Sequence, residues 1–421
     1  MQKTPSRSFR LVCAPERIPL VEALLRAQGY AFEEEPFSPL CRRLTEEPRP
    51  LGISLAALFG YVYIQDRSSM LPPLALAPRE GSAVLDVCAS PGSKTGFLCQ
   101  LVGTHGFVLG NEPGRPRLAT LRANLHALNC VQAATCSCPG EKLPLREGSW
   151  DCIQLDPPCS GWGTVDKNPR VMQLWQGGKV RPLIMLQRQL LRRAWELLRP
   201  GGVAVYSTCT TNVEENEEQA RWAVEELGFA IEPLEPFPGF AWEEPRPCGA
   251  GTLRVDGSRS GAQGFYIARL RKPGEAFASF SLPEPLALPA SAREIPLRAL
   301  EGPCTDVSLL PEGRVAVFGE YARFLPRHAE SCLAPGLAWQ GALLGKVRAG
   351  RVALSPRLRA LMPAEPPADA LRLDEVADIL DLLAGRGRES GLPGRETGLY
   401  WRELPLCRVQ LKSGRPVCAV R

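Results

Sequence analysis

From Ala83 onward, apolar runs of strand length alternate with segments of helical period. Ala83 to Val87 reads as a buried strand, Ser93 to Val102 as a helix, Phe107 to Gly110 as a strand, Pro116 to Leu128 as a helix and Val131 to Cys136 as a strand. Strand Cys152 to Leu155 follows, then a helix from Pro182 to Leu198 that stops at Pro200-Gly201-Gly202. Strand Val203 to Tyr206, helix Val213 to Leu227 and an alternating strand from Gly264 to Arg271 complete the series. This rhythm predicts an α/β fold, a parallel sheet with helices on both faces.

The flanks read differently. Phe9 to Cys13 has a strand signal and Ile18 to Gln28 a helical one ended by Gly29, so residues 1–75 form a small α+β module. Pro236 to Gly264 has no period and predicts a long loop along a binding face. The many prolines of Ala276 to Pro303 mark a boundary. The α/β domain thus spans 76–273, a Pro-rich linker 274–303, and a separate C-terminal region 304–421. That region shows short strands, a helix near Leu371 to Leu383 and a terminal hairpin turning at Ser413-Gly414.

Composition adds bounds. A chain of 421 residues with 44% hydrophobic content can bury two or three cores. A net charge of +5 suits an RNA partner without demanding one. No leader and no membrane span is apparent, so a cytoplasmic chain with reduced thiols is expected from its 15 cysteines. There is no C-x-x-C pair, and His105, His126 and His328 are scattered, which argues against a metal.

Chemistry enters at LDVCASPGSKT, Leu85 to Thr95, a Pro-Gly turn between strand and helix. At the carboxyl end of a strand in an open sheet, the unpaired N–H groups of the following helix face a ligand, and Gly92 admits close approach. An ordinary strand-to-helix turn would read the same way. A P-loop needs Gly before Lys94 and another five residues earlier, where Ser93 and Cys88 stand. With G-x-G-x-x-G also absent, a nucleoside cofactor lacking pyrophosphate is left, and S-adenosylmethionine fits. Asn111-Glu112 ends the next strand, where an acid can accept from ribose hydroxyls.

Two later strands end in QLDPPCSGWGT, Gln154 to Thr164, and VYSTCTTN, Val205 to Asn212. Neighbouring strands would bring Cys159 and Cys209 to one rim of the sheet. Cytosine C5 is a poor nucleophile, and a thiolate that adds to C6 makes it attack a methyl donor. Asn212 with Glu215 forms a capping-box pattern beside Cys209, whose thiolate a helix N-terminus would favour. Asp156 can bond the exocyclic amine and, when protonated, N3. Lys94 either assists proton movement or is a plain exposed lysine of a first helical turn. The DPP of Asp156 to Pro158 also resembles the box of exocyclic-amine methyltransferases, although Cys159 stands where their aromatic residue stacks. Base N-methylation and a silent RNA-binding assembly factor are the competing readings.

Together these motifs resemble RNA 5-cytosine methyltransferases of the Nol1/Nop2/Sun type, and within them the bacterial RsmF-like branch acting on small-subunit ribosomal RNA. The likeness runs from GYVYIQDRSSMLPPLAL at Gly60 to GFYIARLRK at Gly264 to Lys272. It implies a Rossmann-like methyltransferase core with a mostly parallel seven-stranded sheet. It implies that Cys88, Ala89, Ser90, Pro91, Gly92, Ser93, Lys94 and Glu112 hold S-adenosylmethionine, with Arg117 supporting the turn and Asp156 between cofactor and cytosine. It makes Cys209 the nucleophile, gives Cys159 a part in product release, and sets Lys167 to Pro169 beside the target base. Cys138 stands where the family carries an Asp near the adenine, leaving that end to backbone groups or Glu141. Arg323 to Glu330 is faintly similar to a PUA-like RNA-binding module, and the N-terminal module is likewise expected to touch RNA.

Overall fold

The computed structural model describes residues 7–162, 180–275, 288, 292–348, 350–387 and 389–420. Strands β1 (Ser8–Leu11), β2 (Ala31–Glu35), β3 (Ser38–Glu46) and β4 (Val62–Ile64) form a sheet in the order β2-β3-β1-β4. Helix Ile18–Arg26 buries Val21, Leu24 and Leu25 against it, its apolar residues recurring on one face.

The sheet of the α/β region starts with five parallel strands, β5 (Ala83–Asp86), β6 (Phe107–Asn111), β7 (Ala133–Cys136), β8 (Trp150–Leu155) and β9 (Leu198–Thr208), in the order β7-β6-β5-β8-β9. Beyond β9 lie β10 (Ala230–Ile231), β11 (Leu253–Val255) and the antiparallel β12 (Phe265–Arg271). The path β10-β12-β9-β8-β5-β6-β7 is the expected seven-stranded Rossmann-like core. Alternation along each strand feeds two cores: Leu85, Tyr206 and Ala268 meet helices Val180–Leu197 and Glu217–Leu227, while Val84, Val205 and Ile267 meet helices Ser93–Val102 and Arg115–Ala127. Strand order reverses between β5 and β8, which opens a crevice at their carboxyl ends.

Three elements depart from the sequence reading. The helix expected over Val213 to Leu227 is a 3-10 turn, Val213–Glu215, followed by a helix from Glu217, because the Asn216 side chain turns back to Thr208 Oγ1 and the Thr210 carbonyl. Leu371–Leu373 is a strand, since its two leucines alternate and pair in register with Leu399 and Trp401; the helix occupies only Val376–Leu383. The loop over Pro236 to Gly264 contains β11 and a helical turn, Gly257–Ser260.

The C-terminal residues are continuous with the central sheet. Strands β13 (Ala292–Ile295), β14 (Gly313–Phe318), β15 (Tyr321–Pro326), β16 (Trp339–Arg348) and β17 (Arg351–Leu354) extend it to thirteen strands among the described residues, because β16 pairs antiparallel with β7. That pairing covers an edge that would otherwise present unpaired backbone. Gly341 lets β15 lie tight against β16 on its other side: a Cβ there would fall 2.0 Å from the Phe324 carbonyl oxygen. The last strands, β18 (Leu371–Leu373), β19 (Glu396–Trp401), β20 (Leu404–Lys412) and β21 (Arg415–Cys418), form a third sheet, and the β20-β21 hairpin turns at Ser413-Gly414 as expected. Leu399, Trp401 and Leu406 share one core with Phe9, Leu24 and Leu55, so the beginning and the end of the chain pack together.

Arg359 joins all three parts. Its guanidinium donates to the carbonyls of Phe59 and Gly60 at 2.8 Å and of Ala127 at 3.3 Å, and stacks 4.1 Å from the Tyr61 ring centroid.

Candidate active site

Every residue of the site leaves the carboxyl end of a parallel strand. After β5 the chain turns through Cys88 to Pro91 to Gly92, whose φ of +105° is the left-handed region that glycine tolerates, and helix Ser93–Val102 begins. Arg117 bonds the Ser90 carbonyl at 3.1 Å and Asn124 the Pro91 carbonyl at 2.8 Å, so the next helix holds the turn from outside. Ala89 bonds backbone to backbone with Asn111 at 2.9 Å.

Asn111 is the hub of this corner. Its Nδ2 donates to the carbonyls of Val87 and Cys138, and its Oδ1 accepts the Cys138 N–H, tying the loops after β5, β6 and β7. Cys138 therefore meets its neighbours through its backbone, and burial raises its thiol pKa. Glu141 sits on a 3-10 turn, Gly140–Lys142, beside Gln189 and Arg192. Glu112 is buried and its carboxylate takes the Gly114 N–H at 2.8 Å and Arg117 at 3.3 Å, one bond per oxygen, which leaves acceptor capacity.

Asp86, absent from the sequence reading, ends β5 fully buried. Thr95 Oγ1 donates to its Oδ2 at 2.7 Å, whereas Oδ1 has no bond of normal geometry among the described residues. Burial pushes its pKa up to about 6, against the pull of Thr95 and Lys94. Its position at the end of the first strand was the available signal. Burial, then Asp86, Asp156 and Glu112, also keep the Cys88 thiol protonated. Three carboxylates acting on the Cys88 turn, one of them with an oxygen that lacks a normal hydrogen bond among the described residues, suit a cationic nucleoside such as S-adenosylmethionine.

The groups that the sequence singles out for chemistry adjoin that turn. Lys94 Nζ lies 2.6 Å from Asp156 Oδ2 and 5.4 Å from the Phe265 ring centroid. Burial opposes the ammonium charge, but Asp156 outweighs it and the pKa is raised. Lys94 is thus buried in an ion pair and is no plain surface lysine. Ser207 Oγ reaches Asp156 Oδ1 at 3.4 Å. Cys159 Sγ and Cys209 Sγ are 3.4 Å apart, delivered by β8 and β9 to one rim. The pair splits: the Cys159 thiol lowers the pKa of Cys209, with Lys94 adding to it against burial and Asp156, while Cys159 itself is driven up.

The anticipated capping box takes another form. Asn212 caps only the Glu214 N–H, at 3.2 Å, and Glu215 turns inward. There it takes the Ser160 N–H at 2.9 Å, the Ser160 hydroxyl and Gln187 Nε2 at 3.0 Å. Ser160 Oγ also meets Thr210 Oγ1 at 2.8 Å. The two cysteine loops are therefore clamped by a buried network that supplies the rigidity a helix start would have given. Below it, Arg254 grips both oxygens of Glu217 and the Thr211 carbonyl.

Arg67, in the QDRSS stretch, bonds Glu35, Ser260 and Gly239, joining the N-terminal sheet to the loop before β12. Lys167 to Pro169 lies outside the described residues. Among the described residues no three His, Cys, Asp or Glu groups converge as a metal site, and no helix is long and apolar enough to cross a membrane.

The family described as 16S rRNA methyltransferase RsmB/F matches residues 73–271. Ribosomal RNA small subunit methyltransferase F of Enterobacter sp. (strain 638) is 32% identical over 360 residues, 84% of this chain and 71% of its own length. The protein of the same name from Serratia proteamaculans (strain 568) is 35% identical over 353 residues, 80% of this chain and 71% of its own. A crystallised methyltransferase homolog from Pyrococcus horikoshii superposes with a TM-score of 0.54 at 31% identity, covering 64% of this chain and 88% of that one.

Proposed function

The chain belongs to the 16S rRNA methyltransferase RsmB/F family, and we propose that it methylates C5 of a cytosine in small-subunit ribosomal RNA through a covalent bond from Cys209 to C6. The observation that carries the reading is the 3.4 Å approach of Cys159 and Cys209 beside the Lys94-Asp156 pair.

The Cys88 to Lys94 turn, Asp86 and Glu112 would hold S-adenosylmethionine, which when bound would supply the electrophilic methyl group. The chain's own residues do the rest. Cys209 is the thiol whose charge is favoured, by a hydrogen bond from Cys159 and by the Lys94 ammonium, so it adds to C6. Asp156 is placed by Lys94 and Ser207 to receive the exocyclic amine and so to select cytosine. Once C5 carries the methyl group, a base takes the C5 proton and the C5–H electron pair restores the ring double bond as the Cys209 thiolate leaves C6; Cys159, a thiol in the ground state, lies 3.4 Å from that departing sulfur. A base inside duplex RNA would have to be flipped out to reach this rim.

The test is methyl transfer to 16S rRNA transcript, with the product nucleoside identified by mass spectrometry. Wild type yields 5-methylcytidine and Cys209→Ala yields none. Methyl on an exocyclic nitrogen, or undiminished turnover by Cys209→Ala, rejects the mechanism.

A further inference from the structure

A cavity with a mostly apolar lining lies away from the thiols, along β7. Helix Arg115–Ala127 roofs it and β15 and β16 wall it, so it exists only because the C-terminal strands join the central sheet. Its volume is about 180 Å³, the liquid volume of roughly six waters at about 30 Å³ each. The floor is apolar, with Leu125, Val131, Ala342 and Leu343.

Two guanidiniums face into it. Arg122 Nε donates to Thr135 Oγ1 at 2.9 Å and Arg323 Nη1 to the Gly341 carbonyl at 3.2 Å. Those bonds aim the side chains and leave their other N–H groups free, and neither arginine has a carboxylate partner among the described residues. Among the described residues no Asp or Glu lines the cavity. His126, the third basic group there, is kept neutral: burial and then Arg357 and Arg323 push its pKa down to about 4. Burial and then Arg122 also depress Arg323. Two like charges in a half-buried cavity repel and lack a counterion, and an arginine fork is the geometry that grips phosphate.

We infer that Arg122 and Arg323 form a phosphate-ester site, filled by a backbone phosphate of the substrate RNA. The inference rests on the reading of the chain as an RNA methyltransferase for its ligand, and on geometry alone for its place. The cavity lies between β7 and helix Arg115–Ala127 and reaches Asn129, Cys130 and Val131 before the amino end of the strand.

The experiment measures binding, not methylation. Fluorescence anisotropy follows a labelled single-stranded RNA oligonucleotide across a salt series, with full-length wild type, Arg122→Gln/Arg323→Gln, Arg122→Lys/Arg323→Lys and Arg351→Gln on exposed β17, each first checked for an unchanged thermal transition. The double glutamine variant binds about tenfold more weakly, and its salt slope falls by about 0.7 for each phosphate lost. The double lysine variant, which keeps the charge if the glutamines unfold the seam, retains the slope. Adenosine monophosphate and inorganic phosphate serve as second probes. Loss of their binding with RNA binding intact would still place a phosphate-ester site here, for a free nucleotide. Wild-type affinity and slope for every probe in the double glutamine variant, or an equal loss in Arg351→Gln, overturns the site. Because no methyl transfer is read, failure here leaves the Cys209 mechanism standing.

Discussion

Glu215 takes both the backbone N–H and the hydroxyl of Ser160, the residue that follows Cys159. A side chain just after the Cys209 loop thus fixes the Cys159 loop. Glu215→Ala strips partners from Ser160 and Gln187, which costs about 1–3 kcal/mol for buried groups left unpaired. As a positioning residue it should act on kcat, with a fall of at least about tenfold and little change in KM for RNA, and Glu215→Gln should recover part of it. Steady-state kinetics with the folded variants decide; equal changes in kcat and KM would mean a structural role only.

Cys159→Ala should leave addition to C6 possible and block release. Incubated with RNA and S-adenosylmethionine, this variant accumulates a protein-RNA adduct that survives denaturing electrophoresis. The double variant with Cys209→Ala shows no adduct. A band that persists in the double variant would move the covalent link elsewhere.

The low pKa of Cys209 has a direction that alkylation can read. Because Cys159 and Lys94 favour its thiolate, its reaction with iodoacetamide starts at lower pH than that of an ordinary cysteine. Removing either support, by Cys159→Ala or Lys94→Met, raises the pKa and displaces the rate profile to higher pH. Peptide mass spectrometry separates Cys209 from the other thiols, and an unmoved profile would deny the coupling.

Asp86 trades stability for its site. Its folded pKa, about 6, lies above the ordinary 3.8, so its contribution is intact below about pH 4 and is lost as pH rises towards 6. Asp86→Asn escapes that loss. Its unfolding free energy exceeds that of wild type by roughly 3 kcal/mol above pH 6, converging below pH 4, at 1.36 kcal/mol per unit. Its affinity for S-adenosylmethionine falls in return, as calorimetry can show. A variant less stable at neutral pH would contradict this account.

Gly60 and Arg359 hold the seam between the two ends of the chain. Gly60 has φ +73°, and a Cβ there would sit 1.9 Å from the Ala127 carbonyl oxygen. Gly60→Ala adds strain and a backbone clash, and Arg359→Met leaves three carbonyls without their donor. Each should lower stability by roughly 3 kcal/mol, seen as a fall in the thermal midpoint of several degrees.

The central sheet and its helices were legible because period-2 and period-3.6 patterns are local, and helix Ser93–Val102 has the predicted bounds. The loops bearing Cys88 to Lys94, Asp156, Cys159 and Cys209 were legible for a related reason: each follows a readable strand. What escaped was nonlocal. The inward turn of Glu215 depends on Ser160, 55 residues away, and the thiol contact on a register between β8 and β9. The union of β16 with β7 sets Trp339 against Cys136, far away in the chain, which no window of sequence around Trp339 reveals. Asp86 looked like one more strand residue until its burial was seen.

The shared core of Leu24, Trp401 and Leu406 sets the timetable of biosynthesis. Phe9, Leu24 and Leu55 leave the ribosome long before Trp401 and Leu406, whose surface covers them. The first module must wait with its apolar face unburied while the catalytic sheet forms behind it. A nascent chain stalled short of Trp401 would therefore carry Phe9, Leu24 and Leu55 without that cover, an exposed apolar face prone to aggregation.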